Sequence, residues 1–379
     1  MSQSEGSMLT KEELLSSAAD LLPALRERAP LAEKQRQIPL ETIDDLKSST
    51  LLRIGNPTRH GGIGAGYEAM YELAWELGRA CGSTAWCYAV WSFHNWAIGH
   101  FAEKAQAEYF ATGPDTLCSS SYNASAATAT LEAGGIRLSG RWQFSSGCDA
   151  ASWAMLGAPT AQGPIWVLVP RDEFEIEDTW FVSGMCATGS KDIMVRDRFV
   201  PAHRTLDPFR AGTENLTGWD LHGERLYRIP LFSVAGWDLT APIIGIAQGA
   251  VDEFSARLRS SPNGLDAVAR HLRLAESAAE VDAARALQRQ EIAGLVDKAE
   301  RGEGMTALDM ARNRRNKAFI AKTCVRAVDR LFEASGGHAL FKSQAIQRMQ
   351  RDVHAAAQHF ALSWDTNAET YGRAVIASE

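Results

Sequence analysis

The sequence of 379 residues predicts an α+β protein in three segments: helices over residues 1–115, strands over 116–220, and helices again over 221–379. Three observations carry this. Near the N-terminus, apolar residues recur at helical spacing, in Leu14, Leu21, Leu22 and Leu25 and again in Met70, Leu73, Ala74 and Leu77. From residue 116 the period falls to two, as in half-buried strands. After Pro242 the helical spacing returns and holds to the end.

Within the first segment, "STAWCYAVWSFHNWAIGHF" (83–101) is apolar nearly all round, as a buried helix is. "GGIGAG" (61–66) is not a dinucleotide loop: Tyr67 stands where the third glycine belongs and no βαβ pattern surrounds it. It reads as a turn before a helix that begins near Tyr67. In "GIRLSGRWQF", Ile136, Leu138, Trp142 and Phe144 alternate with Arg137, Ser139, Arg141 and Gln143, which predicts a strand with one buried face. "PIWVLVP" (164–170) and "DIMVRDRFVP" (192–201) predict two more. The Ala-, Glu- and Arg-rich run 265–304 predicts a long helix closing on Gly302 and Gly304. The next helix carries Ile320, Cys324, Ala327, Val328 and Leu331 on one stripe and stops at Gly336–Gly337.

Apolar residues make up 45% and charged residues 22%, ordinary for a soluble globular chain. A net charge of −7 argues against nucleic-acid partners and against docking on an anionic membrane. "MSQSEGSMLTKEELL" has no basic stretch followed by an apolar core, and no uninterrupted apolar run approaches the ~20 residues of a membrane span. The six cysteines form no C-x-x-C pair, so no metal site is expected and they read as reduced thiols. The expectation is a cytoplasmic protein.

The chemistry rests on histidines and serines. "GRWQFSSGCDAASW" (140–153) ends a strand in paired hydroxyls, Ser145 and Ser146, with no nucleophile motif around them. By pattern they begin a turn. His94, among Trp91, Phe93 and Trp96, reads as a hydrogen-bonded core residue. His354, in "QRMQRDVHAAAQHF", reads as a helix-surface or interface residue.

Three segments in this order resemble the acyl-CoA dehydrogenase fold. "RWQFSSGCDAASWAMLGA" is similar to its flavin-binding strand, "TGSKDIMVRDRFVPAHR" to the strand closing its middle domain, and "EASGGHALFKSQAIQRMQRDVHAA" to its C-terminal segment. The resemblance spans roughly residues 10–365 and implies an N-terminal helical domain, a middle β-barrel or sandwich and a C-terminal four-helix bundle. Many dehydrogenases of the fold place a glutamate eight residues after the Arg-Asp aspartate. Here the count from Asp352 reaches Phe360, with His354 and His359 nearby, which speaks against acyl-CoA dehydrogenation. "FSSGCD" and "RDVHAA" resemble instead the oxygenase components of two-component flavin monooxygenases.

That resemblance implies a separate flavin reductase, reduced FAD or FMN and O2 as co-substrate. It implies a C4a-(hydro)peroxyflavin that delivers one oxygen atom to a small phenolic or indolic ring. Ser146, with Ser145 as the near alternative, then places a hydroxyl at flavin N5, and Ser120 and Trp142 join the flavin contacts. His354 becomes the active-site histidine, as base or donor. His94 orients the substrate within an apolar wall that includes Trp91 and Phe93. Gly336 and Gly337 match a turn that approaches a neighbouring subunit's flavin, in a homotetramer built on the C-terminal helices. "AVARHLRLAES" lacks the Arg-x-x-Phe-Gly of FAD-binding dehydrogenases, which leaves FMN and FAD both open. The competing readings are an N- or S-oxygenase on the same fold, a dehydrogenase, and a flavin-free scaffold.

Overall fold

Thr10 accepts from the Glu13 amide while the Glu13 carboxylate accepts from the Thr10 amide, a reciprocal cap that starts helix α1 (Lys11–Gln35). The structure, a computed structural model, describes residues 10–261, 264, 265 and 267–377. Most of the N-terminal stretch read for a targeting signal lies outside the described residues. Helices α2 (Leu40–Ser48), α3 (Tyr67–Gly78), α4 (Gly82–Ile98) and α5 (Glu103–Tyr109) complete the first segment. Every residue of α4 is buried, as its all-round apolar sequence predicts. Within the "GGIGAG" turn, Gly61 and Gly64 take positive φ (81° and 73°), and α3 starts at Tyr67.

The middle segment holds β1 (Cys118–Ser121), β2 (Ala127–Glu132), β3 (Gly135–Ser145), β4 (Trp153–Thr160), β5 (Gly163–Pro170), β6 (Glu175–Glu177), β7 (Lys191–Pro201) and β8 (Thr205–Leu206). They form two four-stranded sheets, ordered β1-β4-β5-β8 and β2-β3-β7-β6, with β1–β4 the parallel pair. Ile136, Leu138, Trp142, Leu156, Val167 and Ile193 fill the space between the sheets. Trp142 is fully buried there and its indole N–H donates to the Gly157 carbonyl at 2.8 Å. Trp142, implied by the resemblance as a flavin contact, is a pillar of the β core in the structure. Phe144 departs from the pattern too. The β3–β7 register shifts between Trp142 and Ser145, Phe144 takes φ 67°, and its ring turns out to 65% exposure.

The last segment runs through α6 (Thr217–His222), α7 (Leu231–Val234), α8 (Trp237–Ser260), α9 (Val268–Glu300), α10 (Ala307–Ala334), α11 (Ala345–Ala357) and α12 (Trp364–Ala377). Strands end at Leu206 and long helices resume at Trp237, so short pieces straddle the expected boundary at 220/221. Helix α8 is the shared core element, packed against α3, α4, α9, α10 and α11. It meets α3 glycine to glycine: a Cβ on Gly78 would stand 2.9 Å from the Gly245 Cα. The stretch Leu231–Ser260 is long and apolar enough to cross a membrane, but 78% of its most apolar window is buried in the protein, so its hydropathy is that of a core helix. All six cysteines are buried and free.

Candidate active site

The turn after β3 lies where the β segment meets α4 and the C-terminal helices. Side chains alternate along a strand, so Ser145 and Ser146 face opposite ways. Ser145 is fully buried, its hydroxyl without a hydrogen-bond partner among the described residues, whereas Ser146 is only half-buried. Gly147 follows with φ 68° and donates to the Thr188 carbonyl at 2.7 Å. A Cβ here would stand 2.6 Å from the Trp91 indole, so the turn requires glycine twice over. Trp91, expected to wall a substrate, instead lies beneath this turn, 1% exposed.

Ser146 belongs to a chain of hydroxyls whose donor directions can be deduced. Trp86 Nε1–H can only donate, and it donates to Ser146 Oγ at 3.1 Å. At the other end Thr188 Oγ1 donates to the Met185 carbonyl at 2.8 Å. Thr188 must therefore accept from Ser190 (2.7 Å), and Ser190 must accept from Ser146 (2.8 Å). All hydrogens point one way, and Ser146 is left with a lone pair to offer. Met185 is itself clamped, its amide donating to Asp352 Oδ1 at 2.6 Å. Burial pushes the Asp352 carboxyl up to about 6. The Arg-Asp pair thus anchors the strand end that holds the hydroxyls.

The structure separates the histidines. His359, which follows α11, has its ring 6.0 Å from the Trp86 ring. Its Nδ1 accepts from the Ala361 amide at 3.3 Å, so the neutral ring carries its hydrogen on Nε2. Burial lowers its pKa to about 4. His354 does not reach this cluster: its Nε2 pairs with Asp329 on α10 at 2.8 Å, with 43% of its side chain exposed. The resemblance implied an active-site role for His354; the contact it makes in the structure is this pair with Asp329. His94 is likewise consumed by structure. Its Nδ1 donates to the Cys118 carbonyl at 2.6 Å and its Nε2 accepts from Ser120 at 2.7 Å. With burial lowering its pKa to about 4, it is a neutral bridge from α4 to β1 with no nitrogen left for a substrate. Ser120 spends its hydrogen on that bridge and keeps only lone pairs.

Phe93 does line a cavity, with Tyr67, Met70, Tyr71, Ala89 and Asp238. Gly336 and Gly337 sit on the α10–α11 turn, where an added Cβ would meet nothing within 4 Å. Trp86, Thr188, Ser190 and Asp238 went unread in the sequence. Only the small polar run "ATGSKD" hinted at the hydroxyl chain, and Trp86 was one apolar residue in an apolar helix.

Helices, a two-sheet β domain and a helical bundle, with hydroxyls aligned at their junction, define a protein of the acyl-CoA dehydrogenase fold. Residues 11–113 match the Acyl-CoA dehydrogenase, N-terminal domain family, and residues 239–364 match the Acyl-CoA dehydrogenase, C-terminal domain family. Within that fold the chain belongs to the oxygenase components of flavin-dependent monooxygenases. It is 34% identical to the flavin-dependent monooxygenase oxygenase subunit HsaA of Mycobacterium tuberculosis, over 92% of each chain. It is 33% identical to the FADH2-dependent resorcinol hydroxylase oxygenase component of a Rhizobium species, over 97% of this chain and 94% of that one. The crystal structure of 3-HSA hydroxylase from Rhodococcus sp. RHA1 superposes with a TM-score of 0.91 at 31% identity, covering 96% of this chain and 97% of that one.

The residues at the junction fit a reduced flavin. Ser146 offers a lone pair suited to a ring N–H. Phe144 is exposed beside it, edge-on to Trp180 at 6.1 Å, as a flat ring would require of its flanks.

Proposed function

We propose that the chain is the oxygenase of a two-component system that hydroxylates a small phenolic or indolic ring, using reduced flavin from a separate reductase. The observation that carries this reading is the Trp86–Ser146 contact with His359 beside it, in a junction where Phe360 replaces the carboxylate a dehydrogenase needs. The names of relatives support the substrate class: besides the resorcinol hydroxylase, an indole-3-acetate monooxygenase of Pseudomonas putida is 32% identical over 66% of this chain. XiaF from Streptomyces sp., solved with FADH2, is 26% identical with a TM-score of 0.88, which favours FADH2 over FMNH2.

When bound, reduced flavin supplies the electrons that activate O2 for transfer of one oxygen atom. The chain's own residues do the rest. Ser146 accepts from a flavin N–H and holds that proton in place. His359 Nε2–H donates to the substrate's oxygen and stabilises phenolate character, a role the bound Nδ1 favours over that of a base. The buried rings of Trp86, Trp91 and Phe93 exclude water. A homotetramer built on the C-terminal helices belongs to this reading, supported by exposed Phe319, Leu340, Phe341 and Ile376.

The test supplies the protein with chemically reduced FAD or FMN, isotopically labelled O2 and a panel of phenols and indoles. Label in a ring hydroxyl supports the reading, and Ser146→Ala should divert oxygen to hydrogen peroxide. Complete reoxidation of both flavins with no labelled product from any ring would overturn it.

A further inference from the structure

Helices α3, α4 and α8 enclose a cavity of about 10 Å³, room for roughly one water or one hydroxyl group. Three of its six lining residues, Tyr67, Tyr71 and Asp238, carry polar groups. The buried hydroxyls of Tyr67 and Tyr71 interact with each other and with no other side chain of good geometry among the described residues, their rings edge to face at 4.7 Å. Asp238, 8% exposed, has one carboxylate oxygen bound by the Gly236 amide at 2.8 Å. Buried polar groups without partners are costly and rarely accumulate in one place unless something pairs with them.

Helix α4 runs from the junction described above to the cavity. Trp86, Ala89 and Phe93 stand at i, i+3 and i+7 on one face of α4. Trp86 touches Ser146, whereas Ala89 and Phe93 line the cavity, roughly 10 Å further along the axis. Ala89 keeps the stripe between them low. A ring bound against this stripe would point one edge at Ser146 and His359 and the opposite edge at Asp238.

We propose that Asp238, Tyr67 and Tyr71 form a hydroxyl slot that recognises a second, remote hydroxyl on the aromatic substrate, so that the chain selects dihydric over monohydric phenols. This rests on the aromatic-hydroxylase reading above. A carboxylate only accepts and a tyrosine can donate, so the complementary group must donate and accept at once, as a hydroxyl does. A methyl ether accepts without donating. An ammonium donates without accepting, and Lys317, buried and donating to the Ala235 carbonyl at 2.5 Å, already supplies opposite charge near Asp238.

The experiment holds the full-length protein anaerobically with reduced FAD and measures equilibrium dialysis of resorcinol, phenol and 3-methoxyphenol. Wild type should hold resorcinol about tenfold tighter than either monohydric ligand, and both Asp238→Asn and Tyr71→Phe should bring that ratio to within about twofold. Melting temperature and reduced-flavin binding confirm that each variant is folded, and Tyr71→Phe carries the test if Asp238→Asn is not. If wild type binds the three ligands equally, or both folded variants keep the wild-type ratio, the cavity holds only water and the slot is refuted while the hydroxylase reading stands. If wild type binds reduced flavin but none of the three ligands, the hydroxylase reading falls and the slot falls with it.

Discussion

Trp86 Nε1 donates to Ser146 Oγ at 3.1 Å, at the near end of a hydroxyl chain whose direction is fixed at its far end, where Thr188 donates to the Met185 carbonyl. An indole N–H cannot accept, so Ser146 cannot donate back to it. Its hydrogen passes to Ser190, whose hydrogen passes to Thr188, which ends on a carbonyl. A lone serine hydroxyl would rotate freely between donor and acceptor. In this chain it is held as an acceptor, the complement of the N5–H that a reduced flavin carries and an oxidised flavin lacks.

Breaking the chain at its far end should therefore relax the choice between redox states. In Ser190→Ala the Ser146 hydrogen is released and can donate to the N5 lone pair of oxidised flavin. The preference for reduced over oxidised flavin should fall by about tenfold, one hydrogen bond's worth, with Thr188→Val moving it the same way. Anaerobic fluorescence titrations with both redox forms measure this directly. An unchanged preference in both variants would mean that Ser146 does not face N5.

His359 and His354 should separate cleanly under mutation. His359→Ala removes the imidazole that lies 6.0 Å from the Trp86 ring and should lower product formation per turnover by roughly a hundredfold. His354→Ala removes a half-exposed pair with Asp329, which costs at most about 1 kcal/mol and leaves hydroxylation intact. Product yield per O2 consumed, compared for the two variants, decides it. A severe loss in His354→Ala with normal activity in His359→Ala would reverse the assignment.

His94 should behave as a structural bridge. His94→Ala strands the Cys118 carbonyl and the Ser120 hydroxyl in a buried place and opens a cavity in α4. The expected cost is roughly 3–5 kcal/mol, seen as a lower melting temperature. Residual folded protein should still bind reduced flavin through Ser146. A stable variant with specifically weakened substrate binding would instead restore His94 to the substrate pocket.

Helical spacing and period-two alternation made the three segments legible, down to the buried α4 and the strands β3, β5 and β7, because burial writes itself into a repeating pattern. The order of segments and the "FSSGCD" and "RDVHAA" runs carried the family. What stayed hidden depends on contacts far apart in the chain. Alternation placed Phe144 inside, since a bulge that turns its ring outward leaves no trace in a period-two pattern. Trp142 looked like an aromatic beside the serines, but its parity puts it between the sheets. His354 and His359 both follow the Arg-Asp pair, and only the end of α11 decides which of them turns toward Trp86. The hydroxyl chain joins residues 86, 146, 188 and 190, a grouping no local window contains.

Buried histidines also set how the fold meets acid. Burial lowers His94, His359 and His222 to about 4, and burial likewise lowers His100 to about 3. Neither ring nitrogen of His100 has a hydrogen-bond partner among the described residues. Each folded-state value lies below the unfolded value near 6.5, so the stability these groups contribute is complete above that pH and is lost as the pH falls toward 4. At pH 4.5 the loss is about 2 kcal/mol for each fully buried ring. Asp238 and Asp352 work the other way. Burial raises both to about 6, so the folded state regains stability as they take up protons between pH 7 and 4. The two carboxyls offset roughly the two fully buried rings, His94 and His100, and leave the half-buried His222 and His359 unopposed. The melting temperature, followed by scanning calorimetry, should fall slightly from pH 8 to 7, as Lys317, lowered by burial to about 7, takes up its proton, and by several degrees more between pH 6.5 and 4.5. A melting temperature that rose through that window would mean the carboxyls outweigh the histidines, and that these rings are hydrated in solution rather than buried.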